Sequence, residues 1–297
     1  PILNRYPALT ITKYGHVAAT SHFGSLYYDG TNYENYIVNR YFQYYADVKD
    51  DIKAQSLQYN ISDGEHYPIS IIEKDNKNLL FCNSGIQPNS QSTISRPAII
   101  ELDINTSPVN FMSYDTTDQV IDGFWGIISS HFNKYMVVKE INKDMQGNIW
   151  IVNPYCEEYG HLLAIQSIEN DSWSHVHIPD NNSYLPLSVA LEYKGSFNRA
   201  WIGFQDYSAD IEYSIGGVKV LQYKDIYFEN ESDSTWMELT NPEIFQRDNN
   251  NLSVWSLAID HMGFLWVLHE QGVQGYQVSG VNKISLEPIS PVDFLSY

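Results

Sequence analysis

Cysteine is almost missing from this 297-residue chain: Cys82 and Cys156 are its only copies. Two cysteines so far apart make neither a disulfide framework nor a CxxC metal site. Whether they pair is open, since a bridge needs Cα atoms within about 7 Å. Positive charge is scarce too. Lys and Arg total 17 against 36 Asp and Glu, a formal net charge of −19. Such a field repels nucleic acid and anionic membrane, which excludes both as natural partners. No apolar run approaches the 18 residues of a membrane-spanning helix, so no membrane insertion is expected. HExxH, GxSxG and glycine-rich phosphate loops are absent as well. The nine histidines, among them His175 and His177 two apart, are scattered along the chain.

What the chain has is aromatic rings and a repeat. Tyr occurs 23 times, and apolar residues make up 43%. Two stretches, "DMQGNIW" from Asp144 and "DHMGFLW" from Asp260, share the pattern D-x-x-G-x-hydrophobic-W. A relaxed form, [D/G/T]-x-x-[G/N]-x-hydrophobic-[W/F/A], adds "TKYGHVA" from Thr12, "DNKNLLF" from Asp75 and "GSFNRAW" from Gly195. The five starts are separated by 63, 69, 51 and 65 residues. Each copy follows a short apolar stretch and precedes a second one, such as "PAIIELD", "HLLAIQS" or "GGVKVLQY". Most then reach a fourth segment led by an aromatic, such as "DSWSHVHI" or "STWMEL".

The repeating unit is therefore four short antiparallel strands joined by turns. Gly147 and Gly263, at position four, suit a left-handed backbone. Asp75, Asp144 and Asp260, at position one, can accept hydrogen bonds from turn amides. Trp150, Trp201 and Trp266 then enter the second strand as packing wedges. Helical periodicity is missing from every copy, which disfavours helical solenoids. Repeated four-stranded units with an aromatic signature describe an all-β propeller. We expect one propeller domain over residues 1–297 with five blades, about 8–38, 67–114, 137–179, 186–239 and 252–290.

"DMQGNIWIVN", "DHMGFLWVLHEQGVQGY" and "AWIGFQ…IGGVKVLQY" resemble the two-component-regulator propeller repeat. That family's blade carries a D-x-x-G-x-hydrophobic-W turn followed by a glycine-led third strand. The resemblance implies an extracytoplasmic bacterial setting, secreted, periplasmic or at the cell surface. Members include glycan-recognising sensor regions of hybrid receptors and surface proteins associated with type IX secretion. It also implies further blades or a downstream domain, and "SPVDFLSY" reads like the lead-in to another blade. Asp boxes of sialidases, S-x-D-x-G-x-T-W, are excluded because their Gly follows Asp by two positions rather than three.

In such a blade the second-to-third strand loop and the blade link share the top face. The motif turn and the third-to-fourth loop share the bottom. Long links at 39–66 and 115–136 and long loops at 83–96 and 205–215 thus gather on top, where binding is expected. The candidate ligand-binding residues there are Tyr155, Asp206, Tyr207, Trp125, His131 and His269, with a glycan or a surface or secretion protein as partner. For Trp125, capping of the propeller core is the favoured alternative to binding. No cofactor is expected, although Asp206, Asp210 and Glu212 offer oxygens that suit calcium. "ENESDS" at 229–234 does the same on the bottom face. The expected role is non-enzymatic binding or scaffolding. A sensor portion of a two-component receptor and a polysaccharide lyase or hydrolase are the alternatives.

Overall fold

The computed structural model describes residues 8–11, 17–21, 24–28, 33–36, 68–75, 78–83, 99–103, 105, 110–114, 126–128, 133–135, 138–152, 161–177, 185–208, 213–226, 234–247 and 250–290. The chain divides into two compact units, residues 1–143 with 155–159, and residues 144–154 with 160–297. Among the described residues both are built from β-strands, with a short 3-10 turn at Pro242–Phe245.

The first unit holds two four-stranded sheets, each in chain order. One is Ala8–Ile11, Val17–Ser21, Gly24–Tyr28 and Tyr33–Tyr36. The other is Pro68–Asp75, Asn78–Asn83, Ile99–Asp103 and Asn110–Tyr114. All neighbours pair antiparallel. Ile71, Ile72, Leu79, Leu80 and Ile99 are buried. The strand Glu140–Lys143 is tied to the second sheet by side chains. Ser70 Oγ donates to the Ile141 carbonyl at 3.0 Å and accepts its N–H at 3.2 Å, while Lys143 Nζ donates to the Glu73 carbonyl at 2.6 Å. The backbone of Cys82 lies in the second sheet opposite Ile99. Cys156 lies outside the described residues.

The second unit holds three strands of a third sheet, Ile149–Val152, His161–Gln166 and Trp173–His177. It also holds an eight-stranded sheet made of two antiparallel four-strand groups. The first group is Leu185–Tyr193, Asn198–Gln205, Gly217–Tyr223 and Ser234–Leu239. The second is Val254–Ile259, Phe264–His269, Gly272–Ser279 and Lys283–Pro288. Their outer strands join through a short parallel pairing, Glu238 with Lys283 and Leu239 with Ile284.

Two apolar seams hold these groups face to face. Trp150, Leu163 and Ile165 pack with Val189, Ile202, Phe204 and Tyr223. Trp201 and Val220 pack with Val254, Leu257, Leu265, Val267 and Tyr276. Trp150 and Trp201 are fully buried, whereas Trp266 is half-buried. The Trp150 ring meets Tyr223 with centroids 5.1 Å apart. Burial and the nearby Asp144 carboxylate push the Tyr223 phenol far above its ordinary value, which keeps it neutral.

The motif turn does more than place a ring. Asp144 Oδ1 accepts the Asn148 N–H at 2.9 Å, and its Oδ2 accepts the Trp150 indole N–H at 3.3 Å. Asp260 repeats this with the Phe264 N–H at 3.0 Å and the Trp266 indole at 2.9 Å. Burial acts to raise the Asp260 value, but hydrogen bonds from Trp266, Phe264 and Met262 outweigh it and hold the carboxyl below its usual range. Gly147 at φ +97° and Gly263 at φ +84° supply the left-handed residue of each turn.

The fourth copy departs from the expected pattern. Its left-handed residue is Gly195, φ +77°, and Asn198 lies within the strand. Trp201 pairs with Ala190 as Trp266 pairs with Ala258, so Glu192 stands where Asp260 does. Its Oε2 accepts the Trp201 indole N–H at 3.3 Å, and Lys194 and Arg199 balance its charge at 2.6 and 3.8 Å. In the second sheet Asp75 is exposed opposite Asn78. The buried carboxylate there is Glu73, 3% exposed.

Replacing Trp201 by Ala is expected to destabilise the fold by about 3–5 kcal/mol, since a full aromatic volume leaves a sealed seam. Half-buried Trp266 is expected to cost less. Urea unfolding of the two variants side by side measures the difference, and equal losses would contradict the seam role of Trp201.

Candidate functional site

Strand register carries the ends of the second unit's sheets to two opposite rims. The motif turns occupy one rim. The other carries the segment after Gln205, the segment before Val254 and the end of the Phe264–His269 strand. Asp206, Ser253, His269 and Glu270 meet there.

Ser253 organises this rim. It is 2% exposed, and its Oγ accepts the Asp206 N–H at 3.0 Å and lies 3.3 Å from the Asp206 carbonyl, to which it can donate. Its own N–H donates to Glu270 Oε1 at 3.2 Å. The backbone of Asp206 is therefore fixed while its side chain stays exposed. A carboxylate held at the surface on a rigid strand end is preorganised for a donor ligand.

The loop that follows Asp206 is anchored at both sides. Tyr207–Ser208 pairs with Tyr213–Ser214 as a small ribbon. Ser214 Oγ donates to the Gln205 carbonyl at 2.6 Å and accepts the Leu185 N–H at 2.8 Å. The Gly217 N–H donates to the Leu252 carbonyl at 2.8 Å. A Cβ on Gly216 would stand 2.4 Å from that carbonyl oxygen, so glycine is required for the two segments to approach.

His269 closes the rim. Its Nδ1 accepts the Gln271 N–H at 3.1 Å, which leaves the proton of the neutral ring on Nε2. Burial lowers its value, and neighbouring Glu270 offsets part of that. The ring is therefore neutral at pH 7 and offers a donor.

Of the ligand-binding residues expected from sequence, Asp206 and His269 fall on this rim. Tyr207 contributes backbone to the ribbon. Tyr155, Trp125 and His131 lie outside the described residues, as do Asp210, Glu212 and most of 229–234. Sequence reasoning missed Ser253 and Glu270, which belong to no recurring motif; only their place next to strand ends marks them. Among the described residues, no group of three His, Cys, Asp or Glu side chains is gathered to hold a metal ion. No helix among them is long and apolar enough to cross a membrane.

No protein-family model matches the sequence, and no curated protein matches it. Solved structures do. One is PorZ, an essential bacterial surface component of the type-IX secretion system of Porphyromonas gingivalis. It is 15% identical over 89% of this chain and 31% of that chain, with a TM-score of 0.52. Another is an ancestral GH74 enzyme, 10% identical over 97% of this chain and 33% of that chain, TM-score 0.52. The extracellular domain of a one-component system from B. thetaiotaomicron matches at 12% identity over 94% of this chain and 39% of that chain, TM-score 0.32. The chain thus spans about a third of the length of the first two. The fold is that of bacterial β-propeller proteins.

These likenesses correct the expectation of a non-enzymatic chain. The same strand arrangement carries glycoside hydrolases, the GH74 enzyme among them. In a propeller the reacting groups come from separate strand ends, so the missing linear motifs exclude no activity.

Protonation of His269 gives a pH test. Its folded-state value lies below the unfolded one, near 6.5. Between those two values the unfolded chain binds more protons, so stability falls as pH drops through that window. His269→Gln is expected to flatten this part of the stability–pH curve, read from thermal melts between pH 7 and 5. An unchanged curve would show that the imidazole is indifferent to folding.

Proposed function

We propose that this chain is the ligand-recognising part of an extracytoplasmic bacterial propeller protein, with five four-stranded blades that are all of the ring or a part of it. Its ligand is a glycan or a surface protein, held at the rim formed by Asp206, His269 and Glu270. The observation that carries this reading is Ser253. One nearly buried residue clamps the Asp206 backbone through its side-chain hydroxyl and the Glu270 carboxylate through its backbone N–H. Strand ends that served only to turn the chain need no such cross-brace.

Sensing is the form of recognition best supported. The extracellular domain of a one-component system and the secretion-system surface component PorZ stand among the structural neighbours. Output would then come from residues beyond this chain. A second reading, a carbohydrate-active enzyme, is favoured by the likeness to the GH74 enzyme. Asp206 and Glu270 would be its first candidates as a carboxylate pair.

A glycan array followed by calorimetry separates these readings, run with and without calcium because Asp206 and Glu270 bring two carboxylates to the rim. Asp206→Ala is expected to weaken ligand binding about 10-fold or more, in line with about 1.5–3 kcal/mol for a hydrogen bond to a charged group. Reducing-sugar release from a polysaccharide panel, abolished by Asp206→Asn or Glu270→Gln, would establish the enzyme instead. Binding indifferent to Asp206, Tyr207 and His269 substitutions, with no turnover, would move the site off this rim.

A further inference from the structure

The two four-strand groups of the eight-stranded sheet correspond position by position. Trp201 pairs with Ala190 in the first group, and Trp266 pairs with Ala258 in the second. One row along on the same face, Ser188, Gly203 and Val218 stand side by side in the first group. Ser256, Leu268 and Val273 form that row in the second. Both first strands shift register at the same place, so Leu187 and Trp255 are equivalent bulge residues.

In the first group these positions are buried. Leu187 is 9% exposed, Val218 8%, and Gly203 is buried as well. What lies on them is the first strand of the second group. A Cβ on Gly203 would stand 2.6 Å from Val254 Cγ1, so Val254 rests directly on that glycine. In the second group the same positions are open: Trp255 is 47% exposed, Leu268 40% and Val273 66%.

These three side chains come from three adjacent strands and form one apolar face, flanked by Ser256 and Ala258. A sheet that ends a stack of repeats carries polar residues on its outer face instead. Exposed apolar groups gathered in this way mark an interaction surface. The face also brings no charge, so a partner approaches it without meeting the carboxylates that give the chain its net charge of −19.

We infer that this face is an interface for a further four-stranded sheet from outside this chain, docked through its first strand as Val254 docks on the first group. The face specifies one feature of that strand. Leu268 fills the room that Gly203 leaves open for Val254, so the residue that meets Leu268 is small: Gly, Ala or Ser. Aliphatic residues beside it cover Val273 and Trp255. This rests on the propeller reading of the repeat and is independent of the ligand proposed for the Asp206 rim.

The test places the photo-cross-linking residue p-benzoylphenylalanine at Val273 of the full chain, expressed in its native cells, and identifies the joined peptide by mass spectrometry. The expected peptide lies outside these 297 residues and alternates aliphatic residues. It carries Gly, Ala or Ser among them, and it precedes an Asp or Glu and then a tryptophan. Leu268→Glu is expected to lower the cross-link yield about 10-fold or more, because docking would bury an unpaired charge. The purified variant is expected to stay folded by thermal melting. Should it unfold, Ser256→Arg, an exposed change on the same face, carries the same expectation. Asp206→Ala is expected to leave the yield unchanged, so failure of this interface and failure of the rim site are read separately. A cross-link to another copy of the chain, to a peptide within the chain or to a peptide without this alternation would overturn the proposal. So would the absence of any cross-link, or a yield indifferent to both face variants.

Discussion

A carboxylate that receives the indole N–H of a tryptophan is the interaction on which the second unit depends. A buried indole carries an N–H that needs an acceptor. In each of three repeats the acceptor stands at the end of the first strand or in the turn just after it, ahead of the ring: Asp144 for Trp150, Glu192 for Trp201, Asp260 for Trp266. Ring and turn therefore order each other. The Asp carboxylates also take a backbone N–H of the turn, so removing either one leaves both a loose turn and an unsatisfied indole. This coupling gives the two wholly buried indoles, Trp150 and Trp201, an acceptor inside their seams.

Once the rings are anchored, the strand registers are set and the loops are forced to the rims. That division lets the chain build two different ends. One is dominated by hydrogen-bonded turns that leave little room for variation. The other is cross-braced by Ser253 and by the close approach of Gly216 to Leu252, and it keeps exposed polar groups beyond the brace. Rigidity below and exposed functional groups above is the usual arrangement for binding loops on a β scaffold.

The repeat was legible in sequence because its chemistry is local: Asp, Gly and Trp lie within seven positions in two copies. The fourth copy was misread because its hairpin is longer. Trp201 lies nine residues after its acceptor, not six, so the pattern fell on Gly195 and missed Glu192. A different signal was available, since "SVALE" ending at Glu192 and "SLAID" ending at Asp260 are the same first strand with the acid at the same place. The Asp75 copy failed for a similar reason: Glu73, two residues earlier, is the buried acid. Ser253 and Glu270 had no sequence signal at all, because each acquires its meaning from a partner in another strand.

The same logic governs what the chain does. A motif such as HExxH is visible because one helix places its residues. On a sheet scaffold such groups come from separate strand ends, tens of residues apart, and the proposed pair of Asp206 and Glu270 follows that arrangement. Their proximity follows from Ser253 touching both, not from any spacing. Scarcity of linear motifs therefore measures the scaffold rather than the chemistry, and one set of strands serves a secretion component and a glycoside hydrolase alike. What distinguishes such proteins is the set of side chains left exposed above the brace. In this chain those are a carboxylate on a braced backbone and a neutral imidazole, an acceptor and a donor suited to hydrogen-bonding ligands.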